Sequence, residues 1–146
     1  MKKVVRVVLI SCIGGLVIAQ VAPIPPAENP PVGQEVPANV EVRGILRTSC
    51  YDCHSNETNW PWYSHVVPSK WFVRKHVVEG RRQLNFSTWG QYSPERAANK
   101  MEEVVERIEE GAMPMSSYLR LHGEAVLSKA QQQALLDWAR GLGAEG

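Results

Sequence analysis

The chain has 146 residues, 21% of them charged, and a formal charge of +1, a size that fits one domain plus a tail. Three of its 16 basic residues, Lys2, Lys3 and Arg6, fall in the first six positions, which leaves 13 basic against 15 acidic side chains in the remainder. With that remainder slightly acidic, a nucleic-acid-binding surface is excluded as the organising feature.

The basic start is followed by an uncharged apolar run from Val7 to Ala22, the layout of a secretory signal or an N-terminal membrane anchor. Sixteen helical residues span about 24 Å against a hydrocarbon core of about 30 Å. Val4 and Val5, with Arg6 snorkelling to the headgroups, bring the run close to sufficient. A cut after Ala22 would put Gln20 in the small-residue position and Pro23 after the scissile bond, so residues 1–22 read as a retained anchor before a cleaved signal. Leu9-Ile10-Ser11-Cys12 looks like a lipoprotein processing site, but the apolar run continues past Cys12, which puts lipidation third. From Pro23 to Pro37 six of fifteen residues are proline; helix is excluded, and residues 23–37 read as an extended, semi-rigid spacer of up to roughly 45 Å that holds the domain off the membrane.

The domain is expected over residues 38–146 and is expected to be all-α. Val40, Gly44, Ile45 and Arg47 lead as a helix into Cys50. Residues 55–64 are rich in turn formers and large rings and read as a loop. Pro68 suits the first turn of a helix that should pack through Trp71 and stop at Gly80; its other face, Lys70, Arg74, Lys75, Arg81 and Arg82, is a solvated surface or a docking patch for an acidic partner. Ser93-Pro94-Glu95 opens the clearest helix, with Ala97, Met101, Val104, Val105 and Ile108 inward and an acidic face outward, ended by Gly111. A last helix has Ser128 and Gln131 as a capping box and Leu135, Trp138 and Leu142 as a stripe facing the helix ahead of Cys50; Gly141 and Gly143 fray its end. Five tryptophans, Trp60, Trp62, Trp71, Trp89 and Trp138, suit a small domain that wraps a large flat apolar object.

Cys50-Tyr51-Asp52-Cys53-His54 is the C-x-x-C-H pattern of covalent c-type haem attachment. Each thiol can add to one vinyl group, and the adjacent imidazole can coordinate the iron from the same side. The rivals are a redox disulfide, which should accompany a βαβ pattern that is absent, and zinc, which wants a second Cys/His pair. Met113 lies 59 residues past His54 on a loop stiffened by Gly111 and Pro114, where a weak thioether ligand can be held opposite a histidine, a pairing that raises the reduction potential. Met115 and His122 compete for that role. His65 and His76 lack confirming neighbours, and Tyr63 or a tryptophan N–H is placed to bond a haem propionate.

The run Ser49-Cys50-Tyr51-Asp52-Cys53-His54-Ser55-Asn56-Glu57-Thr58, then Trp60-Pro61-Trp62-Tyr63-Ser64, Glu79-Gly80-Arg81 and Asn85-Phe86-Ser87-Thr88-Trp89, resembles the bacterial haem-binding domain family of small cytochrome c-like proteins. The likeness continues through Met113-Pro114, Tyr118, His122, Leu127-Ser128 and Trp138, about 110 residues in all, and Asn29-Pro30-Pro31 also fits it. It implies a monohaem, mostly helical, cytochrome c-like domain matured outside the cytoplasm, with Cys50 and Cys53 as attachment thiols and His54 as proximal ligand. It does not settle the sixth ligand or name a redox partner.

The leading expectation is a carrier of single electrons between redox partner proteins, with one covalently bound haem c whose iron is held by His54 and Met113, on the periplasmic side of the inner membrane. The competing expectation is a haem-based sensor or peroxidase-like enzyme whose sixth position is open or displaceable.

Overall fold

The computed structural model describes residues 2–144, and among these the chain is all-helical, without strands. Helices α1 (Lys2–Gln20), α2 (Val40–Ser49), α3 (Tyr51–His54), α4 (Ser69–Gln83), α5 (Pro94–Glu109), α6 (Ser116–Leu119) and α7 (Lys129–Ala144) are joined by loops with 3₁₀ turns at Trp62–His65, Phe86–Gln91 and Gly123–Ala125.

Helix starts follow local chemistry. The Asn39 side chain caps α2 by accepting from Val42 N at 2.8 Å, and Ser93 caps α5 by accepting from Arg96 N at 3.3 Å, with Pro94 first in the helix. Gly111, at φ +66°, turns the chain out of α5. Ser128 and Gln131 cap α7 reciprocally, at 2.9 and 3.3 Å. Instead of fraying at its glycines, α7 runs to Ala144, because Gly143 lets it close on α5: a Cβ there would lie 3.3 Å from that of Met101. The broadest helix contact is accordingly α5 with α7, and α2, the expected partner, packs on α7 less extensively. Val42, Leu46, Tyr51, Phe86, Met101 and Leu135 join these helices in one core.

Helix α4 departs from the sequence reading. Pro68 sits at its N-cap, and it passes Gly80 to end at Gln83. It buries Val77 and Lys70 and leaves Trp71 and Phe72 at the surface. Gly80 is there for close approach, not termination, since a Cβ on it would meet the Cys53 carbonyl oxygen at 2.5 Å. Most of the basic face is also spent within the fold. Arg81 donates to the carbonyls of Ser55 (2.7 Å) and Glu28 (2.9 Å) and to Asn29 Oδ1 and Thr58 Oγ1, and Arg74 donates to the carbonyls of Ser64 and Pro25.

Those partners include the prolyl segment, which has no helix but is no free spacer. Gly33 N donates to Ser87 O and Val36 N to Phe86 O, both at 2.9 Å, Asn56 Nδ2 donates to Pro31 O at 2.8 Å, and Val36 is buried. A prolyl segment cannot satisfy its own carbonyls, so it is strapped to the domain that can. Helix α1 buries none of its residues and is long and apolar enough to cross a membrane.

Candidate functional site

Cys50 breaks the path from α2 to α3: its backbone, at φ −129° and ψ −35°, leaves the helix although its N–H still bonds Leu46 O at 2.9 Å. The single turn that follows is closed by Cys53 N and His54 N on Cys50 O, at 3.2 and 3.0 Å. Positions three and four apart share a helix face, and Cys50, Cys53 and His54 together line a cleft of about 530 Å³, a volume in the ~300–1,000 Å³ range of small-molecule sites. Tyr51 turns the other way, buried and stacked on Phe86 with centroids 5.7 Å apart, which pins the turn to the core. Leu46, Leu84, Phe86, Val104, Ile108 and Leu135 make the cleft wall apolar.

His54 Nδ1 lies 3.1 Å from both Gly80 O and Leu84 O. Carbonyls only accept, so Nδ1 carries the hydrogen and Nε2 keeps its lone pair. Burial holds the pKa of His54 below the ordinary value, against the pull of the two carbonyls, so the ring is a neutral donor. Burial also pushes the thiols up, Cys50 to about 12 and Cys53 to about 11, each raised further by a neighbouring negative charge. Both cysteines are free thiols, with no disulfide between them.

The loop after α5 brings Met113, Pro114 and Met115 to the same cleft. Ala112 N and Met113 N both donate to Arg107 O, at 3.0 and 3.1 Å. A second tie is longer in range. Tyr118, also at the cleft, donates to Asp52 Oδ2 at 2.7 Å, and Asp52 Oδ1 accepts from Asn59 N at 2.9 Å. The methionine loop is thereby fastened to the residue between the two cysteines. Sequence reasoning gave Asp52 no role, although an acid set between two cysteines was a signal available to it.

The other expected residues divide. His76 lines the cleft from α4. His122 does not, since its Nε2 meets the Tyr63 hydroxyl at 2.6 Å, its Nδ1 lies 3.2 Å from Glu124 Oε1, and its ring stacks on Tyr118. His65 is exposed, 3.5 Å from Arg74. Tyr63 is spent on His122 and the Trp60 indole on Asn29 Oδ1, which withdraws both as propionate donors. No tryptophan is among the described residues that line the cleft. Trp89 is buried in the core, Trp138 donates to Pro37 O, and Trp62 and Trp71 face outward, so the wrapping expected of the indoles is done by Leu, Ile, Val and Phe.

These features define a class: a helical protein built round an apolar cleft with imidazole, thiol and thioether groups on its walls, which fits a haem. The chain belongs to the haem-binding domain family, whose model matches residues 14–141, the prolyl strap included. It matches no curated protein and no solved structure.

Proposed function

We propose that the protein is a c-type, cytochrome c-like carrier of single electrons. Cys50 and Cys53 would hold one haem through thioether bonds, and His54 Nε2 and the Met113 thioether would be the protein's ligands to its iron. The observation that supports this most is His54 itself, its hydrogen fixed on Nδ1 and its neutral ring on one helix face with both thiols. When bound, haem supplies a one-electron Fe(III)/Fe(II) couple. The two carbonyls on Nδ1 fix the ring and raise the basicity of the other nitrogen. Leu46, Phe86, Ile108 and Leu135 exclude water, and Lys100 and Arg107 at the cleft, which are paired with Glu103 and Glu110, would have to exchange those partners to meet the haem's carboxylates. Among these residues none has to move a proton, and the partners are other redox proteins.

The length and apolar character of α1 support its reading as an anchor that keeps this activity at a membrane. With Lys2, Lys3 and Arg6 on the cytoplasmic side, the domain lies in the periplasm, where c-type maturation proceeds. One observation favours a second reading, a sensor or peroxidase-like site with a displaceable sixth ligand: Met113 is 37% exposed.

The test is expression in a host with c-type maturation, followed by denaturing electrophoresis with a haem peroxidase stain. Stain that survives denaturation supports covalent attachment; an unstained band from a coloured protein sinks it. A thioether-to-iron band at the red end of the spectrum, lost in Met113→Ala and kept in Met115→Ala, supports the carrier. A high-spin spectrum that shifts with cyanide or carbon monoxide favours the second reading.

A further inference from the structure

We propose that the domain sits directly on the lipid surface, through an aromatic face gathered round the end of α1, rather than being held away from it. This rests on reading α1 as a membrane anchor. Gln20, its last residue, is tied to the domain: its Nε2 donates to His65 O at 2.7 Å, its Oε1 accepts from Val67 N at 3.1 Å, and its backbone carbonyl accepts from Lys70 Nζ. Nineteen helical residues rise about 29 Å, nearly the whole of a hydrocarbon core of about 30 Å. A spanning α1 therefore has no slack, and Gln20 emerges at the boundary with residues 65–70 beside it.

The side chains around that point suit such a depth. Trp62 is 78% and Phe72 64% exposed, and Val66 and Trp71 are exposed next to them. Four large apolar groups facing outward within eleven residues have no explanation in the core, whereas indole rings are favoured where acyl chains meet headgroups. Charge agrees: residues 58–78 contain no acidic side chain, and Lys75 is exposed one turn beyond Trp71, as an anionic headgroup layer requires. The strap that binds residues 25–36 to the domain adds to this, since it removes the slack that a spacer would provide.

The test uses the full haem-loaded chain in vesicles of phosphatidylethanolamine with a minority of phosphatidylglycerol, doped with a phospholipid bearing a diazirine near the ester end of one acyl chain. After illumination, adducts are mapped by mass spectrometry. Adducts in residues 4–20 and also in 62–72, with none on the acidic face of α5, are expected. Adducts in 4–20 alone overturn the seating while leaving the anchor standing. Absence of adducts from 4–20 overturns the anchor, and the seating falls with it. In Trp62→Ser/Phe72→Ser, whose sites are exposed enough to keep the fold and the absorption spectrum, the 62–72 adducts should be lost and those in 4–20 kept; unchanged labelling of 62–72 overturns the part given to these two rings.

Discussion

Alanine at Gly80 separates helix propensity from close packing, because the two predict opposite signs. Inside an exposed helix Gly→Ala stabilises by roughly 0.5–1 kcal/mol. At Gly80 the new Cβ would lie 2.5 Å from the carbonyl oxygen of Cys53, 3.0 Å from its carbonyl carbon and 3.1 Å from its Cβ, where ordinary contact starts at 3.4 Å. Backbone atoms cannot swing aside as a side chain does, so α3 and α4 must part by most of an ångström. Overpacking of this kind costs about 1–3 kcal/mol. Parting also stretches the 3.1 Å bond from His54 Nδ1 to Gly80 O, worth about 1 kcal/mol. The net loss is about 1–3 kcal/mol, or a fall in Tm of roughly 4–12 °C at about 4 °C per kcal/mol. Gly44 is the control: it lies inside α2, with nothing within 4 Å of its would-be Cβ, so Gly44→Ala should raise Tm by roughly 2–4 °C. Both are read from thermal melts of the haem-loaded chain in detergent, by far-ultraviolet dichroism. A Gly80→Ala protein that melts at or above the wild type refutes the packing argument.

Loss of the Tyr118 to Asp52 bond should cost about 1.5–3 kcal/mol, the range for a hydrogen bond to a charged group. In denaturant titrations Tyr118→Phe and Asp52→Asn should be clearly non-additive, whereas simple additivity would mean that the bond carries no coupling. Cys50→Ala/Cys53→Ala should be colourless on denaturing gels and fail to unfold cooperatively; a cooperatively folded, haem-free domain would show that the porphyrin is not needed for the core. At alkaline pH, burial and the nearby Glu35 carboxylate push Tyr51 up to about 12. A group raised in the fold stabilises fully below its unfolded value of about 10 and loses that contribution as pH rises towards 12. The Tm of the wild type should therefore fall faster than that of Tyr51→Phe between those limits, and parallel curves would contradict the assignment.

What could be read from the sequence was what short-range chemistry decides. Ser93-Pro94, Ser128 with Gln131, and Gly111 start or stop helices through atoms a few positions away, so their residue types suffice. That Cys50, Cys53 and His54 line one cleft follows for the same reason, since one helical turn sets their common face. Gly80 was misread because its neighbours fit a helix stop, while its cause is the carbonyl of Cys53, 27 positions back. Arg74 and Arg81 looked solvated because their acceptors, Pro25 and Glu28 among them, are about fifty residues distant. The tryptophans misled differently: an indole suits a core, a cofactor wall or a wet interface, and composition does not choose among them.

The two sides of the cleft are built with unequal stiffness, and this bears on what each can do. His54 is held by two carbonyls of α4, by the close approach of Gly80 to Cys53, and by Ser55, whose hydroxyl bonds Tyr51 O at 2.8 Å while its carbonyl accepts from Arg81. Met113 has its backbone bond to Arg107, the turn at Gly111, and the more distant tie through Tyr118. On the ligation proposed above, a thioether is a weak donor, so small changes in the placing of its loop would alter its occupancy of the iron more than equal changes would alter that of an imidazole. Substitutions around His54 should therefore act mainly on folding and haem retention. Those at Gly111, Pro114, Tyr118 or Asp52 should act mainly on potential and on admission of external ligands. If a carrier and a sensor can be made from this one scaffold, the methionine loop is where they would diverge.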